Sequence, residues 1–171
     1  MSIYIALLRA INVGGTGKLA MRDLVALCQR AGFADVRTYI QSGNVILCSP
    51  APAAQVQATL QQAVSQAVKK PIGVFLRTPA ELVDVLAANP FPEAPGSRVI
   101  VFFLDAAPPR EALEQAKGQT SEQLILRGRE LYIHYPVGQA ESRLKLPLFE
   151  RGTGRNLNTI EKLVELAEKS D

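Results

Sequence analysis

The spacing of apolar residues changes repeatedly along the first 77 residues, between an uninterrupted or alternating pattern and a helical one. Uninterrupted and alternating apolar runs are typical of strands, and a three-to-four-residue spacing is typical of helices. Glycine at position 43, followed by Asn44, predicts a tight hairpin turn between the second and third strands. The predicted strands cover residues 3–8, 36–40, 45–48 and 72–76, and the predicted helices cover residues 20–31 and 53–68.

This β-α-β-β-α-β order is that of ferredoxin-like domains, and the rest of the chain repeats most of it. Thr78-Pro-Ala-Glu81 is a capping box that begins a helix ending near Asn89-Pro90. After a proline- and glycine-rich stretch at 89–96, the pattern predicts a strand, a helix, two strands and a helix. These cover residues 98–104, 109–117, 123–127, 130–135 and 159–168. We therefore expect an α+β fold of tandem ferredoxin-like subdomains, at residues 1–77 and 98–171 with a connection at 78–97, or one tandem α+β domain.

Composition restricts the class of protein. Of the 171 residues, 47% are hydrophobic and 20% are charged, which is typical of a globular domain. The apolar runs are too short to cross a bilayer, and no basic region precedes the first one, so we expect a cytoplasmic protein without a membrane partner. Cys28 and Cys48 lie on apolar faces, far apart in sequence, and are predicted to be reduced core thiols.

A glycine-rich loop follows the first strand and ends in lysine just before the first helix. Free backbone amides in such a loop can hold a phosphate or another anion, and Arg9 adds a cation beside it. The loop departs from the P-loop of nucleoside triphosphatases, because Asn12 replaces the first glycine and Leu19 replaces the hydroxyl residue. The alternative is a plain glycine turn with a solvated lysine. The candidate ligand residues here are Arg9, Asn12, Gly14, Gly15, Gly17 and Lys18.

Two further polar clusters are candidates for ligand contact. Gln41, Ser42 and Asn44 surround the predicted turn, although a hairpin alone also favours such residues. Arg155 and Asn156 precede the last predicted helix, whose N-terminus favours an anion. Asn158 and Glu161 have the spacing of a helix cap, so we expect Asn158 to cap that helix.

Three segments, residues 4–15, 38–45 and 155–162, resemble signatures of a bacterial family catalogued as domain of unknown function 1697. The resemblance spans nearly the whole chain and implies a small cytoplasmic α+β protein with tandem ferredoxin-like units, but it implies no activity. Arg143 stands where lysine usually follows the serine, and Leu157 where an aromatic residue often separates the two asparagines, so the resemblance does not extend to aromatic stacking there. The family pattern marks Arg9, Asn12, Gly14, Gly15, Gln41, Ser42, Gly43, Asn44, Ser142, Arg155, Asn156, Asn158 and Thr159.

The function favoured by these residues is binding of a small anionic, phosphorylated ligand. The net charge is +3, and the excess of basic residues lies in residues 1–48 and 127–162, so weak nucleic-acid binding is an alternative. A further alternative is an enzyme, such as a transferase acting on a phosphorylated substrate, although no catalytic constellation is identifiable. The polar clusters could also merely hold the subdomains together. With His134 as the only histidine and no cysteine pair, we expect no metal and no cofactor, in a monomer or a homodimer.

Overall fold

Residues 1–9, 19–39 and 43–169 are described by a computed structural model of the protein. They form an α+β structure with two four-stranded antiparallel sheets. The strands are β1 (Ser2–Leu8), β2 (Ala34–Tyr39), β3 (Asn44–Ser49), β4 (Val74–Arg77), β5 (Val99–Leu104), β6 (Gln123–Arg127), β7 (Glu130–His134) and β8 (Gly152–Asn156). The α-helices are α1 (Met21–Arg30), α2 (Ala53–Val68), α3 (Pro79–Ala87) and α4 (Leu157–Glu168).

Contacts divide the chain into two units. The first contains Met1–Leu82 together with the segment from Leu163 onward, and the second contains Val83–Lys162. Helix α4 therefore begins in the second unit and ends in the first. None of the helices within the described ranges has the length and apolar character that a membrane crossing needs.

The sheet of the first unit has the strand order β2-β3-β1-β4. Tyr4, Ala6 and Leu8 alternate along β1 and belong to the same hydrophobic core as the buried residues of α1 and α2. The predicted order of strands and helices in this half is confirmed, and α2 has its predicted bounds. Cys28 and Cys48 are buried free thiols, as predicted, and burial raises the pKa of Cys28 to about 12.

The sheet of the second unit has the order β6-β7-β5-β8. Ile100, Leu131 and Ile133 form its core together with Leu144, Leu146 and Leu148 from the segment that leads to β8. The capping box that begins α3 is confirmed, since Thr78 N donates to Glu81 Oε1 (2.9 Å) and Glu81 N donates to Thr78 Oγ1 (3.2 Å).

Two elements of the second half differ from the prediction. The helix expected over 109–117 is a 3-10 helix at Arg110–Gln115 without a fully buried residue. Lys117 is bound in an isolated bridge to Lys145 by two backbone hydrogen bonds, so the chain must become extended there and a longer helix cannot form. Strand β8 was not predicted, because its sequence Gly-Thr-Gly-Arg-Asn contains no apolar residue that could alternate.

Candidate functional site

Two of the predicted polar clusters, the glycine-rich loop and the Gln41-Ser42 segment, are attached to the sheet next to each other at the end of β1. Leu8 N donates to Gly43 O (2.9 Å), and Arg9 N donates to Gly73 O (2.8 Å). Residues 10–18 follow Arg9 in the chain and residues 40–42 precede Gly43, so both segments connect to the same end of the sheet. The candidate residues Asn12, Gly14, Gly15, Gly17, Lys18, Gln41 and Ser42 lie outside the described residues.

The connection between β2 and β3 is organised by Asn44. Its side chain is fully buried (0% exposed), and Nδ2 donates to Tyr39 O (3.0 Å) on the opposing strand. Tyr39 and Asn44 are also paired in the sheet, so Asn44 is the first residue of β3 and not, as predicted, part of the turn itself. Gly43 has a φ of 79°, the left-handed region that favours glycine. The asparagine amide thus fixes where the chain re-enters the sheet.

Arg9 is the charged residue at this end of the sheet. It is half-buried, and its backbone is fixed by the hydrogen bond to Gly73. A guanidinium presents several N–H groups in a planar fork that matches the two oxygens of a carboxylate or phosphate. Arg9 therefore has the chemistry of an anion ligand at the position where the glycine-rich segment leaves β1.

Arg155 and Asn156 lie in the second unit, at the end of β8. Arg155 is 7% exposed, and its Nη1 donates to Thr153 Oγ1 (2.7 Å) and to Gly154 O (2.9 Å). Burial lowers the pKa of Arg155 to about 10, so the guanidinium is still protonated at neutral pH. Arg155 precedes the last helix, as predicted. It lies within strand β8, which was not predicted, and is paired with Val101 of β5.

Asn156 caps the last helix. Its Oδ1 accepts a hydrogen bond from Thr159 N (2.9 Å), which is the geometry of an N-cap residue. The prediction that Asn158 is the cap is therefore wrong. Because β8 runs directly into α4, the helix begins at Leu157, and Asn158 already lies in its first turn. At the N-terminus of this helix, the amide of Thr159 is therefore bonded to Asn156.

A buried carboxylate network in the second unit was missed from the sequence. Glu122 is 4% exposed, and its Oε1 accepts hydrogen bonds from Thr120 N (2.7 Å) and Thr120 Oγ1 (3.2 Å). Its Oε2 accepts a hydrogen bond from Ser142 Oγ, which in turn accepts one from Leu144 N (3.1 Å). The only signal in the sequence is the family pattern at Ser142. The contacts give that serine a structural role, because it ties two loops together.

These hydrogen bonds favour the ionised carboxylate. The hydroxyl of Ser142 is the largest cause and the Thr120 amide the next, and together they lower the pKa of Glu122 to about 2. The folded value lies below the ordinary value of 4.5, so the network stabilises the folded state fully above that pH. The contribution is lost as the pH falls from about 4.5 towards 2.

We expect Glu122→Gln to lower stability at pH 7, because an amide group puts N–H donors where hydroxyl and backbone donors already point. The difference in free energy of unfolding from the wild type is expected to shrink as the pH falls through the interval from 4.5 to about 2. Urea denaturation at a series of pH values measures it. Glu141→Gln, at an exposed position next to Ser142, is the control and should change stability by no more than about 0.5 kcal/mol. A difference that stays constant over the whole pH range would contradict the assignment.

Within the described ranges, no group of three or more His, Cys, Asp or Glu side chains is placed to hold a metal ion. The cationic and amide side chains described above lie at the end of β1 and, in the second unit, at the end of β8.

Comparisons with known proteins agree with the α+β fold. The model of a family described as "Protein of unknown function (DUF1697)" matches residues 1–132. The chain is similar in structure to the conserved bacterial protein SP0830 from Streptococcus pneumoniae, with a TM-score of 0.79 and 21% sequence identity over 98% of this chain and 99% of that chain. At this identity the likeness concerns the fold alone. No curated protein shows significant sequence similarity to the chain.

Proposed function

The chain belongs to the DUF1697 family, a family of unknown function, and from its own residues we propose that it binds a small anionic, phosphorylated ligand at the end of β1. One observation carries the proposal. The hydrogen bonds of Leu8 to Gly43 and of Arg9 to Gly73 connect the glycine-rich segment and the Gln41-Ser42 segment to the same end of one sheet. Two polar segments that are far apart in sequence thereby start from neighbouring positions.

In this proposal, Arg9 supplies charge and backbone amides of the glycine-rich segment supply hydrogen-bond donors. Lys18 adds a second cation, and Asn12, Gln41 and Ser42 orient the ligand. Asn44 acts indirectly, because its bond to Tyr39 fixes the start of β3. Arg155 and Asn156 remain predicted ligand residues, although their side chains also bond to Thr153 and Thr159.

We also propose that both units are ferredoxin-like, with the predicted segments 1–77 and 98–171 as the two structural repeats. In each sheet the first strand lies between the third and the fourth, and the second lies at the edge. When the strands are counted along the chain, both sheets have the same spatial order, which supports a tandem arrangement. The second repeat differs in both crossovers, because it has only 3-10 helices where the first repeat has α1 and α2. They lie at Arg110–Gln115 between β5 and β6, and at Gln139–Glu141 and Pro147–Arg151 between β7 and β8.

The proposal is tested by a thermal-shift panel of sugar phosphates, nucleotides and short oligonucleotides. A ligand at about 100 times its dissociation constant adds about 2.7 kcal/mol to the stability of the folded state. We expect a phosphorylated small molecule to produce such a shift in the wild type and Arg9→Ala to abolish it. Arg30→Ala, which removes the same charge from an exposed position on α1, is the matched control and should keep the shift.

Each other outcome changes the conclusion. A shift that survives in Arg9→Ala, or no shift with any compound, would overturn the site at β1. A shift confined to oligonucleotides that falls steeply with salt would indicate nucleic-acid binding instead. Arg155→Lys is included because it keeps the charge. A loss of the ligand shift in that variant would make Arg155 a ligand residue, and an unchanged shift would make its role structural.

A further inference from the structure

A groove with a volume of about 620 Å³ lies wholly within the second unit, separate from the site at β1. The segment 90–95 forms one wall, and Arg98, His134 and Pro136 line the groove with it. Phe91, Arg98 and His134 are half-buried, whereas Glu93 and Pro136 are exposed. Pockets that hold small organic molecules have volumes of about 300–1,000 Å³ and a mostly apolar lining with a few polar groups.

Hydrogen bonds within the segment 89–98 hold this wall of the groove together. Asn89 Oδ1 accepts a hydrogen bond from Phe91 N (2.9 Å), and Ala94 N donates to Phe91 O (3.1 Å). Arg98 N donates to Pro95 O (2.9 Å), and the prolines of this segment fix their own φ angles. These bonds and rings restrict the conformations of the segment, which reduces the conformational entropy that ligand binding has to remove.

Two rings lie side by side at the groove. The ring centroids of Phe91 and His134 are 5.4 Å apart, and the ring planes are tilted by 33°. His134 belongs to β7, so the sheet holds one ring while the proline-rich loop holds the other. Both rings line the groove together with Pro90, Pro92, Pro95 and Pro136. Flat rings favour contact with another flat ring, which an aromatic ligand supplies and a flexible chain does not.

Arg98 adds a fixed positive charge to this surface. Its Nη1 donates to Pro136 O (3.1 Å), and its own carbonyl accepts a hydrogen bond from Tyr135 N (2.8 Å). The guanidinium carries five N–H groups, so one bond to a carbonyl leaves further donors that can serve a carboxylate. Glu93 also lines the groove, and the charge of its carboxylate is opposite to that of Arg98. One cation and one anion favour a ligand of low net charge over a phosphate.

We propose that this groove binds an aromatic carboxylate, with the ligand ring against Phe91 and His134 and the carboxylate on Arg98. Monoanionic acids and zwitterionic amino acids share this chemistry. Glu93 distinguishes them, because its carboxylate attracts the ammonium group of an amino acid and repels a second anion. A proline-rich peptide fits less well, since the chain contains no tryptophan and the two rings contact each other instead of forming separate ridges.

The test is ligand titration followed by NMR with indole-3-acetate and L-tryptophan as probes. We expect chemical-shift changes at Phe91, Arg98 and His134 and a dissociation constant of about 1 mM, the range for ligands of this size. Arg98→Gln should weaken binding at least tenfold, and Phe91→Leu, which keeps apolar volume but loses the flat ring, should also weaken it. Arg110→Gln, an exposed site elsewhere in the unit, is the control.

The results separate this proposal from the one for β1. The groove proposal would be overturned if neither probe bound at a concentration 10-fold above the expected dissociation constant. Equal binding by the wild type, Arg98→Gln and Phe91→Leu would also overturn it. Tighter binding of L-tryptophan that is lost in Glu93→Gln would identify the zwitterion as the preferred form. Tighter binding of indole-3-acetate would identify the monoanion. Arg9→Ala should leave binding of both probes unchanged, so either site can fail while the other stands.

Discussion

Replacing Gly152 with alanine is expected to lower the free energy of unfolding by about 3 kcal/mol, at the upper end of the usual cost of overpacking. A Cβ atom at this position would collide with the backbone oxygen of Phe103 and lie 2.9 Å from Leu104 Cδ2. Gly152 is paired with Leu104, so β8 would have to move away from β5 to admit the methyl group. The backbone at Gly152 is extended, and the cost therefore comes from the collision alone.

Urea denaturation at pH 7 measures this loss, and Gly128→Ala provides the comparison. Gly128 has a φ of 60°, but a Cβ atom there would meet nothing within 4 Å. Its replacement should cost only about 1 kcal/mol, through backbone strain. If Gly152→Ala were no more destabilising than Gly128→Ala, β8 would not be packed against β5 as described. A folded Gly152→Ala protein should also show altered NMR signals at Arg155 and Asn156, which follow on the same strand.

Leu60→Ala is expected to lower the free energy of unfolding by about 3 kcal/mol, within the 2–5 kcal/mol that large-to-small core substitutions cost. Leu60 is 0% exposed and lies on the buried face of α2 between Val56 and Val64. Removing its side chain deletes apolar burial and leaves a cavity between α2 and the sheet. The neighbours can relax only partly, since Leu24 and Ala6 in the same core are also fully buried.

Gln62→Ala is the matched control for this substitution. Gln62 lies two residues further along α2 at an exposed position, so its truncation should change stability by no more than about 0.5 kcal/mol. Equilibrium urea denaturation followed by circular dichroism compares the two variants. A loss below about 1 kcal/mol for Leu60→Ala would show that the core of the first unit is not packed around α2.

The two predictions concern helix α2, which the sequence pattern predicts, and strand β8, which it does not. The apolar spacing of Val56, Leu60 and Val64 predicts α2 and its buried face, and both are confirmed. Strand β8 has two glycines and no apolar residue, so its pairing with β5 had no local signal. The sheet accepts it because glycine allows the close backbone approach that a side chain would prevent.

For the candidate site, the sequence likewise identified individual residues but not their partners across the fold. Local patterns identified Arg9, Asn44, Arg155 and Asn156 as unusual residues. They did not reveal that Asn44 bonds across to Tyr39 or that Asn156 replaces Asn158 as the helix cap, because both depend on where a strand ends. The network of Glu122 joins residues 20 positions apart through loops, where no periodic pattern exists.

The division of α4 between the two units has a consequence for synthesis on the ribosome. Arg37 on β2 donates a hydrogen bond to Leu166 O, a carbonyl in the part of α4 that belongs to the first unit. Translation produces Leu166 only after the whole of the second unit has been made. The first unit therefore leaves the exit tunnel long before it can be completed, and a chaperone that binds nascent chains would find it lacking its last segment throughout that interval.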